Sequence, residues 1–586
     1  MKNLNPILFS MLALVFLINP TGSMAQKYKS GPQDMTFFSL VDETNQPYAL
    51  YIPENFDETR AYPLVVFLHG AMSNHRLGLM RAFGQGNIQG KEFVNPNRVT
   101  VTTDLEATRS YPKLKSVDYI VVAPYARGTA GYQGIPEADV YQMLDDVKSR
   151  FNIDEDRIYL TGLSMGGGGT IYLSMTRPDI WAAIAPTCAG LPGENAEQVS
   201  NLSNLPVHIF VGSLDGPESK RELRDQLIAA GSPVVKYTEY PGIGHNSWEW
   251  SYKDGFIFDW FSQFERNLYP NEVKFTSALY KYNKAYWVTF DKLIPGESAS
   301  IDAKFEVENE IEVTTKNLDA FSLHINEHPQ FNASEKVAVN IDGQTLSVNS
   351  PGTLSFTKTE DGWKNERYTP ELTSKRKGAE GPLYEGLAAN HVYVYGTAGN
   401  PSAEELEARK QVAIQAADIA TYREMMGRVM IFPRVISDQQ VRQSDYETSN
   451  LVLFGTKETN SIIAKYADEL PIHLDSNADD YSLLYIYPMN GHYLMINSGI
   501  SWWNLRGSAD TNSFGNLSQL RERAASNNMP RRMLNTKADG LKGLKDLILY
   551  KGGADNIISN GYFDSEWSMP SDKADELEKT GVITLN

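Results

Sequence analysis

Arg157-Ile158-Tyr159-Leu160-Thr161-Gly162-Leu163-Ser164-Met165-Gly166-Gly167 passes from an alternating, β-prone run into a serine flanked by glycines and then into a helix-compatible stretch. The order predicts a strand, a sharp turn and a helix, with Ser164 at the apex of a nucleophile elbow. Glycines are needed there because larger side chains would clash where strand and helix nearly touch. The turn lifts a hydroxyl above the sheet and sets backbone N–H groups of a helix start beside it, where charge on a substrate oxygen would develop.

On both sides of this turn, from about Tyr28 to Tyr269, short apolar runs alternate with amphipathic helical stretches. The strand candidates are Leu64 to Leu68, Tyr119 to Ala123, Arg157 to Thr161, Ala182 to Ala185, Val207 to Val211 and Val234 to Tyr240. Val140, Leu144, Val147 and Phe151 form one helical stripe, and Phe256 to Phe264 reads as a closing helix. This rhythm predicts an α/β fold, a doubly wound and mostly parallel sheet covered by helices. Met72 to Ser116 interrupts it without a clear period and is expected to be a long insertion, a flap over the site.

A serine hydroxyl needs a base, which in this arrangement follows the serine and an acid in chain order. His69 and His75 precede Ser164, and His208 falls inside a strand, whereas His245 follows the last strand in Pro241-Gly242-Ile243-Gly244-His245. Asp215, just beyond Val207 to Gly212, is the expected orienting acid, with Glu218 and Asp225 as competitors in a charge-rich helical segment. For the oxyanion, Met165 supplies one N–H. The run Pro63 to Leu68 ending in His69-Gly70-Ala71 makes Ala71 the second choice, with Gly70 beside it and His69 as a brace. No metal-ligand spacing or phosphate loop is apparent, so no cofactor is expected.

The chain has 586 residues, too many for one ordinary core, and a formal charge of −18, which leaves no basic field for nucleic acid or an anionic membrane. Lys2, the apolar stretch Ile7 to Leu17 and Ser23-Met24-Ala25 predict a secretory leader over residues 1–25. Cleavage would leave Gln26 first, no membrane span, and a secreted or periplasmic protein of bacterial type. The single cysteine, Cys188, allows no intrachain disulfide and reads as a small buried residue.

Beyond Pro270 the period changes. Ser298 to Thr315 alternates apolar and polar residues and Asp342-Gly343 signals a hairpin, so a hydrolytic unit over 26–270 is expected to give way to a β-rich, sandwich-like module over 271–364. Helical Ala403 to Met426 and the strand-to-helix run Leu451 to Leu470 predict a mixed α/β region over 365–586. Trp363, Trp502 and Trp503 are candidates for stacking on sugar rings.

Phe67-Leu68-His69-Gly70, Val122-Ala123-Pro124-Tyr125, the Ser164 elbow and Gly244-His245-Asn246-Ser247-Trp248 together resemble the α/β-hydrolases of the polyhydroxybutyrate-depolymerase-like and feruloyl-esterase-like group, also labelled prolyl-oligopeptidase-like. The likeness covers about Pro47 to Phe264. It implies a Ser-His-Asp enzyme cleaving carboxylic esters, often acyl groups on plant or algal polysaccharides. Asn450 to Thr456 and Tyr487 to Gly491 resemble an accessory region found beside such hydrolases. A peptidase of prolyl-oligopeptidase type shares the triad but ordinarily carries a propeller ahead of it, for which the few dozen residues before this unit leave no room. A silent, polymer-binding relative is the rival from another class.

Overall fold

A computed structural model describes residues 28–71, 73–85, 110–128, 131–190, 193–349, 352–420, 431, 433–502, 543–552 and 556–586. The expected leader, residues 72 and 86–109 of the expected flap, residues 421–426 of the expected helix, and Trp503 lie outside the described residues.

The first sheet has eight strands: β1 (Gly31–Ser39), β2 (Thr44–Ile52), β3 (Tyr62–Leu68), β4 (Ile120–Pro124), β5 (Ile153–Leu163), β6 (Ala183–Thr187), β7 (Val207–Gly212) and β8 (Val235–Tyr240). Their order is β1-β2-β4-β3-β5-β6-β7-β8. The β1/β2 and β2/β4 pairs are antiparallel and the other five are parallel. The fold is the doubly wound α/β-hydrolase sheet. The period-two pleat divides each central strand between two cores. Leu64, Val66 and Leu68 face one containing Val140, Met143, Leu144 and Val147, while Val65 and Phe67 face another containing Ile257, Phe258, Trp260 and Phe261. The first of these helical faces belongs to α2 (Ile135–Arg150); α1 (His75–Ala82), α3 (Met165–Thr176) and α4 (Glu218–Ala230) complete the main helices.

Three local readings are corrected. Met72 to Ser116 is not aperiodic at its start: Asn74 caps α1 through the Leu77 N–H, and Leu77, Leu79, Met80 and Ala82 are buried. Eight residues with a glycine inside give too short a stripe to read as periodic. The closing helix stops at Phe261, and the helix after the strand Asn450–Phe454 spans only Ser461–Lys465. The strands β1 and β2 had no counterpart among the expected strands.

Residues 272–364 form two five-stranded sheets sharing one core. The strand Ala299–Val307 alternates buried with less buried residues over most of its length, and Asp342-Gly343, both with positive φ (51° and 88°), closes the two-residue hairpin between Val337–Ile341 and Gln344–Val348. Residues 391–561 supply a seven-stranded sheet. Arg434–Ser437, His391–Tyr395, Asn450–Phe454 and His492–Gly499 run parallel, and the remaining pairings are antiparallel. Trp363 packs on Phe321 and donates to Asp342, and Trp502 stacks on Phe454; both are buried, so neither offers a ring to a sugar. No described helix is long and apolar enough to cross a membrane.

Candidate active site

Ser164 sits between β5 and α3 with φ 54° and ψ −117°, a left-handed conformation that a side chain adopts only when its surroundings enforce it. The enforcement is visible on both sides. The Ser164 N–H donates to the Thr187 carbonyl at 2.9 Å, and its own carbonyl accepts from Gly168. A Cβ on Gly166 would come within 2.1 Å of the Leu68 carbonyl oxygen, and one on Gly162 within 2.5 Å of the Gly166 carbonyl oxygen. Glycine at these two positions is therefore a steric requirement of the turn.

The His245 Nε2 lies 2.7 Å from Ser164 Oγ, and its Nδ1 lies 2.9 Å from Asp215 Oδ1. The three expected residues, 81 and 30 positions apart in sequence from His245, thus meet at the C-terminal edge of the parallel strands. Asp215 follows β7 in a tight turn whose N–H bonds to the Gly212 carbonyl. A Cβ on Gly212 would stand 2.3 Å from the carbonyl oxygens of Ile243 and Gly244, so the histidine loop closes over that strand end only because the residue is glycine. Glu218 starts α4 and Asp225 pairs with Arg224 on its exposed side; among the described residues, the carboxylate bonded to His245 is that of Asp215.

The remaining histidines take other places. His208 is buried in β7 against Phe210 and contacts Thr238, and burial pushes its imidazole down to about 3. His75 begins α1, with burial lowering it to about 4. His69 is buried, its Nδ1 2.8 Å from the Gly70 carbonyl and its Nε2 2.9 Å from the Tyr125 carbonyl, which makes it a brace of the loop after β3. A Cβ on Gly70 would lie 3.5 Å from the Ser164 Cβ, so the Gly70-Ala71 turn runs directly beside the serine. Met165 opens α3. The two expected N–H groups therefore belong to segments that flank the hydroxyl.

Two supports were not foreseen. Cys188 donates to the His245 carbonyl at 2.8 Å and sits 2.9 Å from Ser247 Oγ, tying down the backbone that carries the imidazole. Burial pushes its thiol up to about 12, so it stays neutral. Trp248 stands edge-on to His245, with ring centroids 5.6 Å apart, and Arg81 lies over the same indole at 5.4 Å. The adjacency of Ser247 and Trp248 to His245 was the only sequence signal available for these contacts. As built, the site can carry a proton from a hydroxyl to an imidazole hydrogen-bonded to a carboxylate, beside the segments of Gly70-Ala71 and Met165.

Residues 42–253 match the family model Esterase, described as "Putative esterase". Over 51 residues the chain is 41% identical to poly(3-hydroxyalkanoate) depolymerase C of Paucimonas lemoignei, a stretch that covers 9% of this chain and 12% of that protein. A solved thermostable esterase is 26% identical, covering 40% of this chain and 63% of its own, with a TM-score of 0.31. A ferulic acid esterase is 18% identical, covering 40% of this chain and 98% of its own, with a TM-score of 0.32. The chain thus spans a small part of the depolymerase and under two thirds of the thermostable esterase. Residues 42–253 are an esterase-like hydrolase domain, and the family match ends ahead of the two later groups of sheets.

Proposed function

From that esterase-like domain, we propose that the protein is a serine hydrolase of carboxylic esters, acting through an acyl-enzyme on Ser164. The reading rests on one observation, the paired distances from His245: 2.7 Å to Ser164 Oγ and 2.9 Å to Asp215 Oδ1. Ser164 Oγ attacks the ester carbonyl while Nε2 takes its proton. Asp215 holds Nδ1–H toward itself and stabilises the imidazolium. The N–H groups of Met165 and Ala71 receive the oxyanion, and His245 returns the proton to the leaving alcohol. Water, activated by the same imidazole, then releases the acid.

The substrate class we propose is an acyl group borne on a polysaccharide, following the feruloyl-esterase-like motifs; a polyester is the alternative suggested by the depolymerase. Export on a leader over residues 1–25, as we read the sequence, would suit a polymeric substrate outside the cell. The test is labelling of the full chain by a fluorophosphonate, with hydrolysis of aryl esters, acetylated and feruloylated glycans, a polyhydroxyalkanoate and proline peptides run in parallel. Ser164→Ala should lose labelling and several orders of magnitude in turnover. An unlabelled wild-type chain beside a labelled control would overturn the enzyme reading, and turnover confined to proline peptides would replace esterase by peptidase.

A further inference from the structure

Two residues at the start of α2 meet the part of the chain that carries the seven-stranded sheet, and a third reaches it through Lys281. Gly134, with φ 68°, caps the helix; a Cβ there would lie 2.5 Å from the hydroxyl and 3.0 Å from the ring of Tyr384, so the phenolic end of that side chain abuts the turn. Tyr384 itself packs on the core of the C-terminal sheet. Ile135 shares a small apolar cluster with Val41 and Ile431. Glu137 accepts from Tyr282 at 2.7 Å and sits 3.8 Å from Lys281, whose ammonium donates to Glu385 at 2.9 Å.

The residues just before this helix start hold the loop beside the serine. Tyr132 donates to the His69 carbonyl at 3.0 Å, and its buried ring occupies the space a side chain on Gly169 of α3 would need. With the Tyr125 carbonyl on the other side of the His69 ring, the loop after β4 grips the residue preceding Gly70-Ala71 at two points. A short path therefore runs from Tyr384 and Ile431, through residues 132–137, to the N–H groups next to Ser164.

We propose that the C-terminal sheet region is a buttress of the oxyanion loop: by clamping the start of α2 it fixes Tyr132, and through Tyr132 the His69-Gly70-Ala71 turn. Tyr132, Tyr384 and Ile431 are positioning residues, acting through the His69 turn. The proposal rests on the esterase reading for its kinetic consequence but not for its structural one. A fixed oxyanion loop matters because the donors must already point at the oxygen when charge develops, and displacements of about 1 Å cost on the order of a hundredfold in rate.

The experiment uses the full chain with Tyr384→Ala, Tyr132→Phe and, as a gentler change to the same clamp, Ile431→Ala, each checked by thermal unfolding. On an aryl ester, kcat should fall about tenfold or more in Tyr384→Ala and Tyr132→Phe, with KM and the pH profile unchanged because His245 and Asp215 are untouched. Combining Tyr384→Ala with Tyr132→Phe should be no worse than the poorer single, since both loosen one path. Hydrogen exchange of the peptide containing residues 69–71 should quicken in Tyr384→Ala and Ile431→Ala. Wild-type kcat together with wild-type exchange at 69–71 in folded Tyr384→Ala and Ile431→Ala overturns the proposal. If the wild-type chain hydrolyses no ester, the esterase reading fails alone, and exchange at 69–71 decides the buttress by itself.

Discussion

The first sheet and the seven-stranded sheet both end parallel strands in glycine, yet they use the space differently. Near the end of β5, Gly162 within the strand and Gly166 beyond it let two backbones touch so that Ser164 is turned outward, and His245, whose side chain is 45% exposed, reaches it from a loop. After the strands His391–Tyr395 and Asn450–Phe454, Gly396 and Gly455 are equally crowded. A Cβ on Gly396 would stand 2.0 Å from the Thr459 carbonyl oxygen, and one on Gly455 2.5 Å from the Thr459 hydroxyl. Here the neighbouring polar groups bond one another. Buried Asp438 accepts from Thr397 and Ser461, and buried Asn460 donates to the Phe454 carbonyl while accepting from Ile462. Close backbone approach is common to both edges; chemistry is available only where the hydroxyl and imidazole face outward instead of being consumed by internal bonds.

The largest break in this comparison is expected from Asp215→Asn, which keeps the shape of the first edge and removes the charge that sets the imidazole tautomer. Steady-state kinetics should give a kcat roughly ten-thousandfold lower with the unfolding temperature little changed. A loss under tenfold would mean that another carboxylate does this work. Next come Gly166→Ala and Gly396→Ala, which force similar clashes at the two edges, each expected to cost about 1–3 kcal/mol or more in chemical denaturation. The kcat of the folded fraction should collapse only for Gly166→Ala; equal kinetic damage from both would erase the contrast.

The smallest effect is one the two regions share. His208 in the first and His391 in the second are buried and His75 in the first is half-buried, and desolvation lowers them to about 3, 4 and 4 in that order. Folded pKa values below the unfolded value of about 6.5 mean that the unfolded chain takes up protons first. Stability contributed by neutral burial is complete above about pH 6.5 and declines as pH falls from there through the folded values. Melting temperature recorded from pH 7.5 to 4 should therefore drop through that interval, and a flat profile would contradict the desolvation of all three.

Much of the first region was legible because its signals are local. The elbow pattern Gly162 to Gly167, the apolar central strands and the position of His245 after the last strand each follow from a few adjacent residues. The strands β1 and β2 were not, since they are antiparallel additions at a sheet edge whose pairing is set by partners elsewhere in the chain. The sugar-stacking reading of Trp363 and Trp502 failed for a related reason. Composition reports an aromatic ring but not whether Phe321 or Phe454 already covers it.

The amino-acid order alone determined the reaction class open to this protein, because a strained serine turn needs glycines at fixed spacing and strand ends dictate the chain order of acid and base. Only the tertiary structure decided which carboxylate meets the histidine, that Cys188 serves the His245 backbone, and that Tyr132 joins α2 to the His69 turn. Those are contacts between residues 30, 57 and 63 positions apart, and distance in space at such separations is fixed by packing and register, which no local pattern encodes.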